Sequence, residues 1–95
     1  MSDEQTLIDR LEAVHSFPTS YTFKVIGENR STLAADVRKS LTGLVGPSAE
    51  IEITERESKG GRHLALTVRT VMQNAQQVLD AYEQLKTLTS VTYIL

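Results

Sequence analysis

The sequence of 95 residues contains no cysteine and only two prolines, and aromatic residues make up 5% of it. Without thiols the chain has no disulfide, no thiolate nucleophile, no cysteine-ligated zinc and no iron–sulfur cluster. The absence of cysteine also fits a reducing compartment. A chain of this length typically forms one domain, which buries about two thirds of the surface exposed on unfolding. We therefore expect a single domain over residues 1–95 with its own hydrophobic core.

The charges are nearly balanced, with a formal net charge of −2 at pH 7. A chain of this charge has no overall electrostatic attraction to nucleic acid. No apolar run approaches the roughly 20 residues of a transmembrane helix. The first residues, Ser2, Asp3 and Glu4, are unlike the basic and apolar start of a signal peptide. The sequence therefore predicts a cytoplasmic protein that binds neither nucleic acid nor membrane.

Residues that carry catalytic or metal chemistry are few and scattered. His15 and His63 are the only histidines, and neither has a second ligand at the spacing of a zinc site. The nucleophile elbow G-x-S-x-G and the glycine-rich phosphate loops are missing. Glutamates recur from Glu50 to Glu57, and they suit either a hard-cation site or a sheet edge protected by charge. The protected edge is favoured, so we expect no catalytic residue, no metal ligand and no cofactor.

A short amphipathic helix is predicted at the start of the chain. Ser2 and Gln5 are spaced like a capping box. Apolar residues then recur at helical spacing, at Leu7, Ile8, Leu11 and Val14. The helix must end before Phe17-Pro18, because the residue before a proline is disfavoured in the helical conformation. Residues 1–16 are therefore assigned to this leading helix and to the segment that connects it to the first strand.

A strand and a helix follow. Residues 21–26 alternate as a half-buried strand does, and Gly27 is expected to end the strand. Asn29 or Ser31 can cap the next helix. The apolar stripe of that helix comprises Leu33, Val37, Leu41, Leu44 and Val45. Gly46-Pro47 stops it, since glycine readily adopts a positive φ and proline cannot continue a helix.

A β-hairpin is predicted in the middle of the chain. Residues 50–57 and 63–70 both alternate, and two adjacent glycines, Gly60 and Gly61, lie between them. Adjacent glycines favour a two-residue turn because both can take a positive φ. Such a turn sets the register of the two strands. It pairs Ile53 with Val68 on the inner face and Glu52 with Arg69 on the outer face.

The helical period returns over residues 73–88, and residues 91–95 are predicted to be a final strand. The stripe of this helix comprises Ala75, Val78, Tyr82 and Leu85, with Leu79 beside it. After the leading helix, the order of elements is therefore β-α-β-β-α-β. Right-handed crossovers then give an α+β ferredoxin-like plait, an antiparallel sheet of order 4-1-3-2 with both helices on one face. The other face is left open or is partly covered by the leading helix.

Three parts of the sequence carry a family resemblance. They are Phe17-Pro18-Thr19 with the strand Tyr21-Thr22-Phe23-Lys24-Val25-Ile26-Gly27, then Ser58-Lys59-Gly60, and last the positions Val78, Tyr82, Leu85, Val91 and Leu95. Together they resemble the YbeD-like family of small bacterial proteins, over nearly the whole chain from Leu7 onward. The resemblance implies a ferredoxin-like fold similar to ACT-type regulatory domains and, by analogy, a regulatory or ligand-sensing role. It implies no catalytic residues.

Two surfaces present open alternatives. The last strand carries no charged side chain and should lie at a sheet edge without the Lys, Pro or bulge that usually protects one. It is either too short to matter or it pairs with another strand. The hairpin tip, with its glycines and two cations, is either an anion site or a solvated turn, and the turn is favoured.

A third possibility is RNA binding, because RNA-recognition domains share this topology, and the outer faces of the two central strands allow it to be tested. Such domains place stacking aromatics there. The residues expected on these faces are Thr22, Lys24, Ile26, Ala65, Thr67 and Arg69. None of them is aromatic, so RNA binding is not expected. Across all these surfaces, the candidate interaction residues are Val91, Tyr93, Leu95, Lys24, Lys59, Arg62 and Arg69.

These features predict a non-catalytic regulatory or interaction module. It would bind a partner protein, or a second copy of itself as a homodimer, through the last strand or the open sheet face. The alternative is an ACT-like domain that senses an amino-acid-like small-molecule effector. An enzyme is the least favoured interpretation, since it would have to use Lys24, His63 or the carboxylates without a recognisable arrangement.

Overall fold

The computed structural model describes residues 3–95, which form three helices and four strands. The helices are α1 Asp3–Val14, α2 Leu33–Val45 and α3 Ala75–Lys86. The strands are β1 Thr19–Glu28, β2 Ile51–Glu57, β3 His63–Met72 and β4 Val91–Ile94. The predicted capping box depends on Ser2, which lies outside the described residues. Every predicted helix and strand is present in the predicted order.

The four strands form an antiparallel sheet in the order β2-β3-β1-β4. This is the predicted order 4-1-3-2, read from the opposite edge. β1 and β3 are the central pair, and their register runs without a break from Thr19–Met72 to Glu28–His63. α2 and α3 pack against each other and against one face of the sheet. The predicted ferredoxin-like plait is therefore confirmed.

The hydrophobic core lies between the sheet and the helices α2 and α3. Alternate residues of the central strands are fully buried in it, among them Phe23, Val25, Leu66 and Val68. Each buried side chain of this size contributes about 1.5–3 kcal/mol. The prediction that β1 ends at Gly27 is wrong, because Glu28 still pairs with His63 of β3.

The stripe of α2 is confirmed, but its predicted N-caps are wrong. Leu33, Val37 and Leu41 are fully buried. The residue at the N-cap position is Thr32, and its side chain makes no capping hydrogen bond. Asn29 is engaged elsewhere, since its side-chain amide donates to the β2–β3 hairpin. The predicted helix stop is confirmed at Gly46, which has a φ of 97°.

α3 starts with a side-chain cap. Asn74 Oδ1 accepts a 2.9 Å hydrogen bond from the backbone N–H of Gln77. The buried residues of the helix are Ala75, Val78, Ala81 and Leu85. Ala81 was not in the predicted stripe, whereas Tyr82 was and is only half-buried at the margin of the core.

The hairpin between β2 and β3 has the predicted register. Ile53 lies opposite Val68 and Glu52 lies opposite Arg69. The predicted two-residue turn is wrong: Ser58 N donates to His63 O at 2.9 Å, and the loop is the four residues 59–62. Within it, Gly60 and Gly61 have φ values of 94° and 74°, as expected for glycines in a tight loop. The predicted strand register is nevertheless correct, because the loop includes one additional residue on each side of the two glycines.

The leading helix α1 packs against α3, on the helical side of the molecule. Gln76 Nε2 of α3 donates to Glu4 Oε1 of α1 at 2.7 Å. Leu11 packs against the core, but no residue of α1 is buried and Val14 is 77% exposed. The alternative in which α1 partly covers the open face of the sheet is therefore wrong, because its apolar residues meet α3 instead.

Candidate interaction surfaces

The sheet face opposite α2 and α3 stays open in the part of the chain that the structure describes, since α1 lies on α3. The strand registers arrange its side chains in rows. One row comprises Arg56, Ala65, Ile26 and Tyr93, and the next comprises Thr54, Thr67, Lys24 and Leu95. We call the four apolar residues at the β4 side of these rows the β4 patch: Ile26, Ala65, Tyr93 and Leu95.

The β4 patch is exposed mainly through its two C-terminal members. Tyr93 is 52% exposed and Leu95 is 68% exposed. Lys24 lies beside Leu95, is exposed, and forms no ion pair within residues 3–95. Tyr93, Ile26 and Ala65 also line a shallow cleft of about 300 Å³ that reaches Ser58 and His63 at the hairpin.

β4 lies at the edge of the sheet, with β1 as its neighbour. Leu95 and Lys24 exchange both backbone hydrogen bonds, at 2.8 and 3.4 Å. Bonded and non-bonded pairs alternate along an antiparallel ladder, so the N–H and C=O of Ile94 point away from β1, toward the outer edge. This edge therefore offers backbone groups that another strand can pair with.

The expectation that β4 carries no bulge is wrong. Tyr93 pairs with Ile26 and Val91 pairs with Gly27, so Thr92 is an extra residue in β4. The bulge allows Glu28 N to donate to Ser90 O at 2.9 Å. A bulge interrupts the ladder and increases the local twist. The regular part of the edge is therefore confined to residues 93–95.

The other predicted interaction residues are distributed over separate places. Val91 lies on the helical face and packs against the core. Arg69 lies on the open face, where its Nε donates to Ser20 Oγ at 2.8 Å. Lys59 and Arg62 are exposed at the hairpin tip and do not line the cleft below Tyr93. The structure thus brings together Lys24, Tyr93 and Leu95.

The acidic strand β2 forms the opposite edge of the sheet, as the interpretation of its glutamates as edge protection requires. Glu52, Glu55 and Glu57 are exposed there. No group of three or more His, Asp or Glu side chains in residues 3–95 is arranged to hold a metal ion. Likewise, no helix in that range is long and apolar enough to cross a membrane. The cytoplasmic location remains a prediction.

The helical side carries a second surface that the sequence analysis missed. α1 and α3 enclose an open groove of about 550 Å³. Its apolar walls are Leu7, Leu11, Leu79, Tyr21 and Tyr82, and its charged rim is Glu4, Asp80, Glu83 and Lys86. Two sequence features could have indicated this surface. They are Leu79, which lies beside the core stripe of α3, and the separate apolar stripe of α1. We call this surface the α1–α3 groove.

Two tyrosines meet in the wall of the α1–α3 groove. The hydroxyls of Tyr21 and Tyr82 lie 3.2 Å apart and share a hydrogen bond. Phe23 packs below them, with ring centroids 4.9 Å from Tyr21 and 5.0 Å from Tyr82. Burial raises the pKa of Tyr82 well above its usual range, and the bond with Tyr21 raises it further. The phenol of Tyr82 is therefore protonated and uncharged at every physiological pH.

The topology defines a ferredoxin-like plait, and solved structures share this fold. Protein HP0495 from H. pylori matches with a TM-score of 0.70 and 17% identity, over 85% of each chain. The ACT domain from GTP pyrophosphokinase of Chlorobium tepidum matches with a TM-score of 0.62 and 12% identity, over 81% of this chain and 83% of that one. At these identities the likeness shows the fold.

The sequence profile of the protein family of unknown function DUF493 matches residues 12–95, so the chain belongs to this family. A UPF0250 protein of Chromobacterium violaceum is 30% identical over 82 residues, which are 86% of this chain and 85% of the relative. The resemblance to the YbeD-like family is thereby confirmed. Most of α1, residues 3–11, precedes the matched segment.

Proposed function

We propose that this protein is a non-catalytic interaction module that pairs β4 with a strand of a partner protein or of a second copy. The observation that carries the proposal is the outer edge at residues 93–95, where unpaired backbone groups adjoin the exposed β4 patch. An added strand gains backbone hydrogen bonds from the edge and specificity from neighbouring side chains.

The side chains beside the edge suit an incoming strand. Tyr93 and Leu95 offer apolar contact area on the open face, and aromatic residues are enriched at such interfaces. Lys24 adds a positive charge next to Leu95, which favours an acidic residue on the partner. The acidic β2 edge repels a second acidic strand, so the two edges of the sheet are not equivalent.

Introducing a charged side chain at the β4 edge tests the proposal. In Tyr93→Lys, an ammonium replaces the exposed aromatic ring, so pairing at β4 should weaken by at least about tenfold in the dissociation constant. Thr54→Lys is the matched control, because Thr54 is exposed on the same face but on β2, at the opposite edge. Self-association is measured by light scattering after size exclusion at several concentrations.

A heterologous partner is measured by affinity capture with the same variants. Support consists of a protein that is lost with Tyr93→Lys and retained with Thr54→Lys. A chain that stays monomeric at all concentrations, and whose captured proteins are the same for all three forms, contradicts the proposal.

A small-molecule effector is a second candidate, supported by the fold shared with the ACT domain from GTP pyrophosphokinase and by the cleft below Tyr93. Its volume of about 300 Å³ is at the lower limit of ligand pockets and suits an amino-acid-like molecule. A bound effector should raise the melting temperature with increasing concentration. Thermal unfolding with single amino acids measures this, and unchanged melting with all of them argues against an effector of that class.

A further inference from the structure

The α1–α3 groove has the size of a small-molecule site. Ligand pockets typically measure about 300–1,000 Å³, and this groove measures about 550 Å³. The groove is about two helical turns long, since its lining residues run from Glu4 to Leu11 on α1 and from Leu79 to Lys86 on α3.

The walls of the groove are apolar and partly exposed. Leu7 is 47% exposed, and Leu11, Leu79 and Tyr82 are half-buried. An apolar ligand body placed between them would remove this surface from water, which favours binding. The hydroxyls of Tyr21 and Tyr82 add one neutral hydrogen-bonding position in the same wall.

The charged residues at the rim make the groove negative overall. Three carboxylates, Glu4, Asp80 and Glu83, face one ammonium, Lys86. Gln76 Nε2 already donates to Glu4 at 2.7 Å and to Asp80 at 3.1 Å. Glu83 makes no hydrogen bond or ion pair within residues 3–95, so its carboxylate is open to a ligand.

We propose that the α1–α3 groove binds a small organic cation, an amine or guanidine attached to an apolar body. The apolar part lies between Leu7, Leu11 and Leu79, and the cationic end meets Glu83. This site is on the helical side of the sheet, whereas the β4 patch and its cleft are on the open face, and it includes a helix that largely precedes the family-matched segment. It is therefore independent of the function proposed above.

Three probes with the same apolar body separate charge from apolar contact: 4-phenylbutylamine, 4-phenylbutanol and 4-phenylbutyrate. Each is titrated into the full chain at low ionic strength, where screening is weakest, and followed by amide chemical shifts. The amine should bind about fivefold more tightly than the alcohol, the effect of one exposed ion pair, and the carboxylate should bind least tightly. The shifted amides should lie in α1 and α3.

Two variants assign the contacts. Glu83→Gln should remove the preference for the amine over the alcohol while both still bind. Leu7→Ser should weaken all three probes, and Leu7 is exposed enough for the change to leave the fold intact. Val14→Ser is its matched control on the same helix, since Val14 is 77% exposed and does not line the groove.

The proposal is overturned if the carboxylate binds as tightly as the amine, if no probe binds, or if Leu7→Ser changes nothing. Amide chemical-shift changes confined to the open sheet face would place the probes in the cleft below Tyr93, and this result would likewise overturn the proposal. A basic amphipathic peptide that binds the groove when the amine does not would make the occupant a protein segment and also overturn it.

Discussion

At the scale of single residues, Gly27 is the position where the chain has least room. A Cβ added there would overlap the backbone oxygen of Ser90 and lie 3.0 Å from Leu33 Cδ2. The backbone oxygen cannot move away without disturbing the bond it accepts from Glu28 N. Glycine is required here because β1, α2 and the start of β4 approach one another closely, not because the strand ends.

Gly27→Ala should therefore lower the free energy of unfolding by about 1–3 kcal/mol, the usual cost of overpacking. Gly43→Ala is the control, since a Cβ at this exposed position in α2 meets nothing within 4 Å. It should instead stabilise the protein by about 0.5–1 kcal/mol through helix propensity. Urea unfolding of both variants measures the difference, and equal effects of the two changes would contradict the packing of β4 against Gly27.

At the scale of helices and strands, local sequence signals differ in how far they determine the structure. The hairpin register was predictable because alternation and two glycines act within a few residues of each other. The cap of α2 was not predictable, because the Asn29 side-chain amide donates to Gly61 O at 2.8 Å, in the β2–β3 hairpin loop and 32 residues away in sequence. A residue with good local capping propensity thus hydrogen-bonds a partner that is distant in sequence and does not cap the helix.

The two helix starts make a paired prediction. Asn74→Ala removes the bond that Gln77 N donates and should cost about 1 kcal/mol. Thr32→Ala, at the start of α2, removes no capping bond and should change stability by only a few tenths of a kcal/mol. Thermal unfolding of both variants measures this, and an equal loss in the two would show that Thr32 does cap α2 in solution.

At the scale of the whole molecule, the topology was predictable and the candidate sites were only partly so. Periodicity identifies each element, and handedness rules leave few arrangements of βαββαβ. The meeting of Lys24 with Leu95 follows from that arrangement and was within reach of the sequence. The bulge at Thr92 and the contact of Tyr21 with Tyr82, 61 residues apart, arise from tertiary packing and carry no local signal.

The molecule therefore presents two candidate surfaces, one on the open sheet face and its β4 edge and one on the helical side. The open sheet face and β4 edge belong to the segment matched by the family profile. The α1–α3 groove combines that segment with residues 3–11. The two surfaces share no lining residue, so the strand partner and the small ligand proposed above do not compete for the same side chains.

The shallow attachment of α1 has a consequence for affinity at the groove. Since no residue of α1 is buried, its detachment from α3 exposes little apolar surface and costs less free energy than global unfolding. Only molecules with α1 docked possess the groove, so the apparent dissociation constant is the intrinsic one divided by the docked fraction. The hydrogen bond from Gln76 to Glu4, at the rim of the groove, should thereby tune the occupancy of the proposed site by holding α1 in its docked position.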